Sequence, residues 1–583
     1  MKKSLIKIKS LLLIPCLLFI VACDEDQFLT ELDPNNQTAE TFWQTEQQFE
    51  TALITTYAAL QFDGVSGPNG MYPEMAKSDI GGTDFWQNPF TYLNLAYTNG
   101  DIRIKRQWDK LYIGIFRCNQ VIQNITTVDP LIFNEGKKEE IEAQARFLRA
   151  WYYFRLAHAF NGGIKRIDVP TGVSDVDSPF VPKEELINDI VKPDLEFAIN
   201  NLPQTWEDSE KGRATWGAAT TLLGKVYLFE EDFAKARDAF KQVIDSNVYQ
   251  LTTDFVDNFT SEGEFNSESI FEVAYNGEYK PGIAGGNSDG TGNGNDAGSE
   301  AINWGGAFGF LDKGGFNVML GSYYLHELFI YDEVDPDNPI NDGNLHSKRL
   351  TATLAVPQGE GTYYNEPTAS IVVGRSGQSA YIRKHTNSYE LDVEPNQARS
   401  GVNVRHMRLA HVYLMYAEAV LEADGDVNEA MTYIDMVRSR AGVKTIAQYA
   451  SENGNQIPQL HISMQVNGAH PLVNINAENL MTHLRRVELP LELAFEGHRW
   501  KDLVRWGIVK DVFTQLKAEE DWRNANTGSV FGQAPLFISA PLGETDIVRP
   551  DLFLKERNYD PATHDYWPVP ASENDSNNGV TGQ

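Results

Sequence analysis

The chain has 583 residues and a formal net charge of −32, with 42% hydrophobic and 11% aromatic residues. Such acidity excludes nucleic-acid binding, which relies on lysine and arginine to neutralise phosphates, and excludes adhesion to an anionic membrane by charge alone. It fits a protein kept soluble in a salty or crowded exterior.

Lys2, Lys3, Lys7 and Lys9 head the apolar run Leu11 to Val21, which closes on Ala22-Cys23. That is the layout of a secretory signal. A small residue directly before Cys23 looks like a bacterial lipobox, in which the cysteine is acylated and becomes the mature N-terminus. The competing reading is a short transmembrane anchor, for which the run is too brief to span comfortably. Cleavage over residues 1–22 removes four lysines and no acid, so the formal charge moves from −32 to −36. Residues 23–40 then form a tether. Cys16 leaves with the signal and Cys23 carries lipid, so Cys118 stands alone and the body, over 500 residues long, relies on its core.

The body begins with helical patterns. Thr41 to Leu60 spaces Phe42, Phe49, Leu53, Tyr57 and Leu60 mostly three and four apart. Trp108 to Ile125 and Ile141 to Phe160 repeat this, and Asn161-Gly162-Gly163 supplies a stop. From Ala218 to Asn247, Leu223, Gly224, Tyr227, Ala236 and Phe240 fall at the offsets of a tetratricopeptide repeat, whose small residues let two antiparallel helices approach. A weaker copy spans Leu414 to Val437, turning at Asp424-Gly425-Asp426. Between them, Asn276 to Gly306 holds ten glycines in 31 residues, a long functional or disordered loop. Residues 340 to 405 mix β-branched runs such as Ser370 to Val373 with turns, read as irregular structure laid on a helical scaffold. The fold class is therefore predominantly α: a scaffold of tetratricopeptide-like hairpins with a loop-rich side. Trp108, Trp151, Trp216, Trp500 and Trp506 are assigned to the core.

Several segments together resemble the SusD (RagB/SusD) family of surface glycan-binding lipoproteins of Bacteroidetes. They are Arg213 to Ala219, Arg408 to Ala419, Val437 to Gly442, Glu492 to Trp500 and Asp565 to Pro570. The resemblance runs from lipobox to C-terminus, so residues 41–583 read as one domain: a helical part at about 41–275, a loop-rich insertion at about 276–405 and a second helical part at about 406–583. Asp24-Glu25-Asp26 resembles the signal that sends lipoproteins of that group to the cell exterior. Leu489-Pro490-Leu491 departs from the family pattern, because proline should kink or restart the helix there. The resemblance implies an outer-membrane protein, lipid-anchored and facing outward, that captures oligosaccharides without breaking a bond. It passes them to a SusC-like TonB-dependent transporter, over which it sits as a hinged lid. A neutral glucan such as a β-glucan suits the charge; a peptide-capturing relative and a surface hydrolase are the alternatives.

Other chemistry has thin support. Gly286-Asn287-Ser288-Asp289-Gly290 fits G-x-S-x-G but lacks the strand and helix that a nucleophile elbow needs. Glu488, Glu492 and Glu496 at helical spacing read as a solvated or salt-bridged face. His406 and His411 lack metal-ligand spacing, and His498 reads as a packed structural residue. The runs Asp332 to Asn338 and Asn287 to Asp296 offer oxygens that suit calcium without matching an EF-hand; no other cofactor is expected. Sugars present flat C–H faces, so a site needs exposed rings among amides and acids. Two loops offer this: Asp84-Phe85-Trp86-Gln87-Asn88, and Asn303 to Phe310 with Trp304 and Phe308. Trp86 and Trp304 are expected to stack on one oligosaccharide, with Asp84 and Asn88 bonding its hydroxyls and Tyr323 as a further platform. Each tryptophan competes with a buried role.

Overall fold

A computed structural model describes residues 42–82, 90–169, 177–278, 301–373, 380–394, 400–526, 552 and 554–580. The signal segment, Cys23, the tether and the runs Gly286–Gly290 and Asn287–Asp296 lie outside them. Helices dominate. In chain order they include α1 (Glu46–Ala58), α2 (Pro68–Lys77), α3 (Ile102–Thr127), α4 (Lys137–Phe160), α5 (Trp216–Phe229), α6 (Phe233–Asp245), α7 (Tyr323–Tyr331), α8 (Leu409–Ala423) and α9 (Val427–Arg440). Among the described residues none is long and apolar enough to cross a membrane.

Local chemistry sets their ends. Thr45 and Gln48 close a reciprocal capping box on α1. The Asp101 carboxylate accepts from the Arg103 N–H at 2.8 Å to start α3. Asn161, at φ 57°, ends α4 in the left-handed region where the sequence places a stop. The two expected hairpins are α5–α6 and α8–α9, and α6 packs along α8, so repeats distant in sequence stack into one scaffold. One hydrophobic core runs from Phe49 to Val580. Trp108, Trp151 and Trp500 are inside it. Trp216 and Trp506 are only half-buried, a correction to their assignment: Trp216 is the first residue of α5, and Trp506 packs against the edge of the core, its Nε1 donating to the buried Glu418 at 2.5 Å.

Strands are short. β2 (Ser269–Val273) pairs antiparallel with β6 (Val404–Arg408). A four-stranded sheet is ordered β1 (Gly81–Gly82), β3 (Leu320–Gly321), β5 (Tyr381–Ile382), β4 (Leu354–Ala355), with antiparallel neighbours. Ser370 to Val373 fall in a short helix, Thr368–Val373.

The segment with the proline restarts as expected. A π-helical turn over Leu484–Glu488 runs into Leu489–Leu493, so Pro490 occupies a first-turn position where no N–H is needed. This segment carries Glu488 and Glu492, both fully buried, with Glu496 at 4% exposure. The acids form no solvated face; they are the anionic half of an interior ion network. Glu488 meets Arg349 at 2.5 Å and Arg438 at 2.7 Å, Glu492 meets Arg408 at 2.6 Å, and Glu496 meets Arg408 at 2.8 Å and Lys384 at 2.9 Å. Asp332 joins the same network, 2.9 Å from Arg349 and 2.8 Å from Arg438. Two arginines hold that carboxylate, so Asp332 is not free to serve calcium in the run Asp332 to Asn338; among the described residues no group of three or more His, Cys, Asp or Glu could hold a metal ion.

Candidate ligand-binding face

The four-stranded sheet sets the residues just before the early ring segment beside those just before Tyr323. Gly81 and Gly82 pair with Gly321 and Leu320, and the Ser322 N–H donates to the Ile80 carbonyl at 2.8 Å. The base of the early loop therefore lies against the strand that leads into α7 and Tyr323. Asp84, Trp86 and Asn88 themselves fall outside the described residues.

The mid-chain rings are corrected. Trp304 is 1% exposed, Phe308 0% and Tyr323 6%. The Trp304 indole N–H donates to the Ser66 carbonyl at 3.1 Å, and its ring stacks on His385 with centroids 5.0 Å apart. Burial pushes His385 down to about 4, so a neutral imidazole backs the indole. The Tyr323 hydroxyl donates to the Gln465 side-chain oxygen, and the Arg523 guanidinium covers its ring at 3.9 Å. None of the three offers a free ring face. The error has a physical origin in the adjacent glycines. A Cβ on Gly305 would lie 2.4 Å from a Glu394 oxygen, and one on Gly306 would lie 2.3 Å from the Asn303 side-chain oxygen. These glycines permit close packing over Trp304; they do not bare it.

An exposed ring stands a few residues further on. Phe316 is 50% exposed on a tightly held backbone: its N–H donates to the Gly306 carbonyl at 2.8 Å and the Asn317 N–H to the Gly309 carbonyl at 3.2 Å. Gly314, at φ 86°, abuts the Glu394 carbonyl, which a Cβ there would meet at 2.5 Å. Glu394 fastens three segments. Its N–H donates to the Lys313 carbonyl at 2.6 Å, and its carboxylate accepts from the Tyr364 hydroxyl at 2.8 Å and the Asn387 side-chain amide at 2.7 Å. Burial raises the pKa of this carboxyl, against the pull of its Asn387 and Tyr364 hydrogen bonds. Polar groups surround the knot: Asn365 donates to Asp392 at 2.6 Å and Lys313 to Glu366 at 2.5 Å, while Leu391 and Val393 are exposed beside Asp392. An exposed ring on a fixed backbone, with amides, acids and a lysine close by, can stack on an apolar face and bond to hydroxyls at its edge. The sequence carried the signal, since Gly314-Gly315-Phe316-Asn317 has the aromatic-among-small-and-amide pattern that singled out Trp304.

Comparison with known proteins agrees with this architecture. Residues 340–583 match the model of the SusD family, and residues 27–228 match a family described as starch-binding associating with outer membrane. A SusD-like protein P2 of Formosa agariphila is 25% identical over 512 residues, covering 85% of this chain and 90% of that protein. Among solved structures, a SusD superfamily protein from Bacteroides vulgatus superposes with a TM-score of 0.69 at 23% identity, covering 93% of this chain and 99% of that one. Surface glycan-binding protein A from Bacteroides thetaiotaomicron, in complex with laminarihexaose, superposes with a TM-score of 0.61 at 18% identity, covering 92% and 98%. The chain belongs to the SusD-like family.

Proposed function

We propose that this chain is a lipid-anchored protein of the outer cell surface that binds neutral oligosaccharides, foremost a β-glucan, and delivers them to a SusC-like TonB-dependent transporter. Cys23 carries the lipid and residues 24–40 act as tether. The observation that carries the binding reading is Phe316, a half-exposed ring whose backbone is bonded to Gly306, three residues after Lys313, which Glu394 ties to the segment of Tyr364. In this reading Trp86 adds a second ring and Asp84 and Asn88 add hydroxyl partners, following Gly81 and Gly82, which pair with Gly321 and Leu320. The relative that holds laminarihexaose supports a neutral glucan. The reaction is capture without turnover. A glycosidase needs two carboxyl groups facing its substrate, about 5–10 Å apart, whereas Glu268, Glu488, Glu492 and Glu496 are ion-paired in the interior.

Isothermal titration of the purified protein with laminarihexaose, an anionic oligosaccharide and a peptide mixture tests this, with reducing ends assayed in parallel. Saturable binding of the neutral glucan with no new reducing ends is expected. Binding of peptides alone, or release of reducing ends, would contradict the proposal.

A further inference from the structure

Where α2, α4, α5 and α8 meet β6 and the turn before Arg499, the interior holds a cavity of about 60 Å³, room for several waters or one small ion. It shares no residue with the Phe316 face. Its charged lining is Arg155, Lys225, Arg408 and Lys501 against Glu74 and Glu496, a formal excess of two positive charges in a chain of net −32. Both acids are already engaged: Glu74 pairs with Lys501, and Glu496 with Arg408 and Lys384.

Arg155 and Lys225 are left over. Among the described residues no carboxylate lies within 4 Å of either, and Arg155 donates no hydrogen bond; its guanidinium lies 5.0 Å over the Trp151 ring. Among the described residues the Lys225 ammonium has one hydrogen-bond partner, the His498 Nδ1 at 3.3 Å, and lies 5.7 Å over the Phe229 ring. Both sit deep in the protein yet keep accessible surface, as groups facing a cavity do. Three imidazoles complete the wall: His406, whose Nε2 is taken up by the Ser66 hydroxyl at 2.7 Å, and His411 and His498, with ring centroids 4.3 Å apart. Burial holds the last two well below the ordinary histidine range, so they stand as neutral N–H donors; it also brings Lys225 down to about 8, with Asp502 opposing and Arg505, Lys501 and Arg155 reinforcing. A buried cation without a counter-charge is costly, and an anion in the cavity removes that cost.

We propose that this cavity binds a small inorganic anion, of halide or tetrahedral oxyanion size, with Arg155 and Lys225 as its cationic ligands and the imidazoles of His411 and His498 as further donors. Such an ion fastens α4 to the first helix of each hairpin.

Thermal unfolding of the intact protein, with sodium bromide or sodium phosphate exchanged for sodium gluconate at constant ionic strength, reads the effect. A saturable rise in Tm of roughly 2–4 °C is expected with at least one of the two, and which one acts gives the size class. Lys225→Met should abolish the rise. Bromide- and phosphate-soaked crystals of the unaltered protein give a reading that does not depend on the variant folding: density within hydrogen-bond reach of Arg155 and Lys225 is expected for the active anion. No saturable rise with either anion, a rise that persists in Lys225→Met, or a cavity empty of both anions would overturn the proposal.

Discussion

Arg408 lies at the centre of the buried charges, 2.8 Å from Glu268, 2.6 Å from Glu492 and 2.8 Å from Glu496. Burial alone would raise the Glu496 pKa; Arg408 and Lys384 beside it reverse the sign and bring it to about 2. The stability carried by this carboxylate is therefore present above its unfolded pKa near 4.5 and lost as the pH falls towards 2. Replacing Arg408 with methionine removes one cation from three buried carboxylates and leaves Arg440 to Glu268 and Glu492 and Lys384 to Glu496, at an expected cost of about 3–5 kcal/mol in urea unfolding. A loss under ~1 kcal/mol would mean that the network is dispensable. The sequence gives little hint of these pairs. Glu488, Glu492 and Glu496 display a helical spacing that suits solvent equally well, and their partners Arg349, Arg408 and Arg438 lie 50 or more residues away. In retrospect the segments that carried the family resemblance are the ones that contribute Arg408, Arg438, Arg440, Glu492 and Glu496 to the interior.

At the scale of elements, periodicity made the helices legible. Helix α4 ends at Asn161, where the residue pattern places the stop, and both hairpins fall on their predicted segments. Gly224 shows why the first hairpin was readable: a Cβ there would lie 2.7 Å from the Phe240 ring and 3.2 Å from the Ala239 Cβ. Both contacts come from α6, so the glycine sets the spacing of the pair. Gly224→Val should cost about 1–3 kcal/mol through overpacking, read as a lower urea midpoint with an unchanged slope; a neutral substitution would show that the helices can part without loss. The loop-rich side was less legible because glycine serves two opposite purposes. Around Trp304 it permits dense packing, whereas around Phe316 it shapes a turn that leaves the ring outside. Composition is the same in both places; Gly305 packs against the side chains of Glu394 and Asn387, whereas Gly314 meets the backbone carbonyl of Glu394.

For the whole molecule, the predominantly α scaffold and the family follow from sequence, because matching segments are spread along the chain and a single core joins them. The site followed only in part. The sheet β1-β3-β5-β4 does bring the early loop's base beside Leu320 and Gly321, but the exposed ring near them in sequence is Phe316 in place of Trp304. Phe316 makes the most direct test of the account. Because its side chain is half exposed, Phe316→Ala should leave the melting temperature close to that of the parent. In calorimetry with laminarihexaose we predict an affinity about tenfold weaker, or ~1.4 kcal/mol. An affinity equal to that of the parent protein would contradict the assignment of this face to glycan binding.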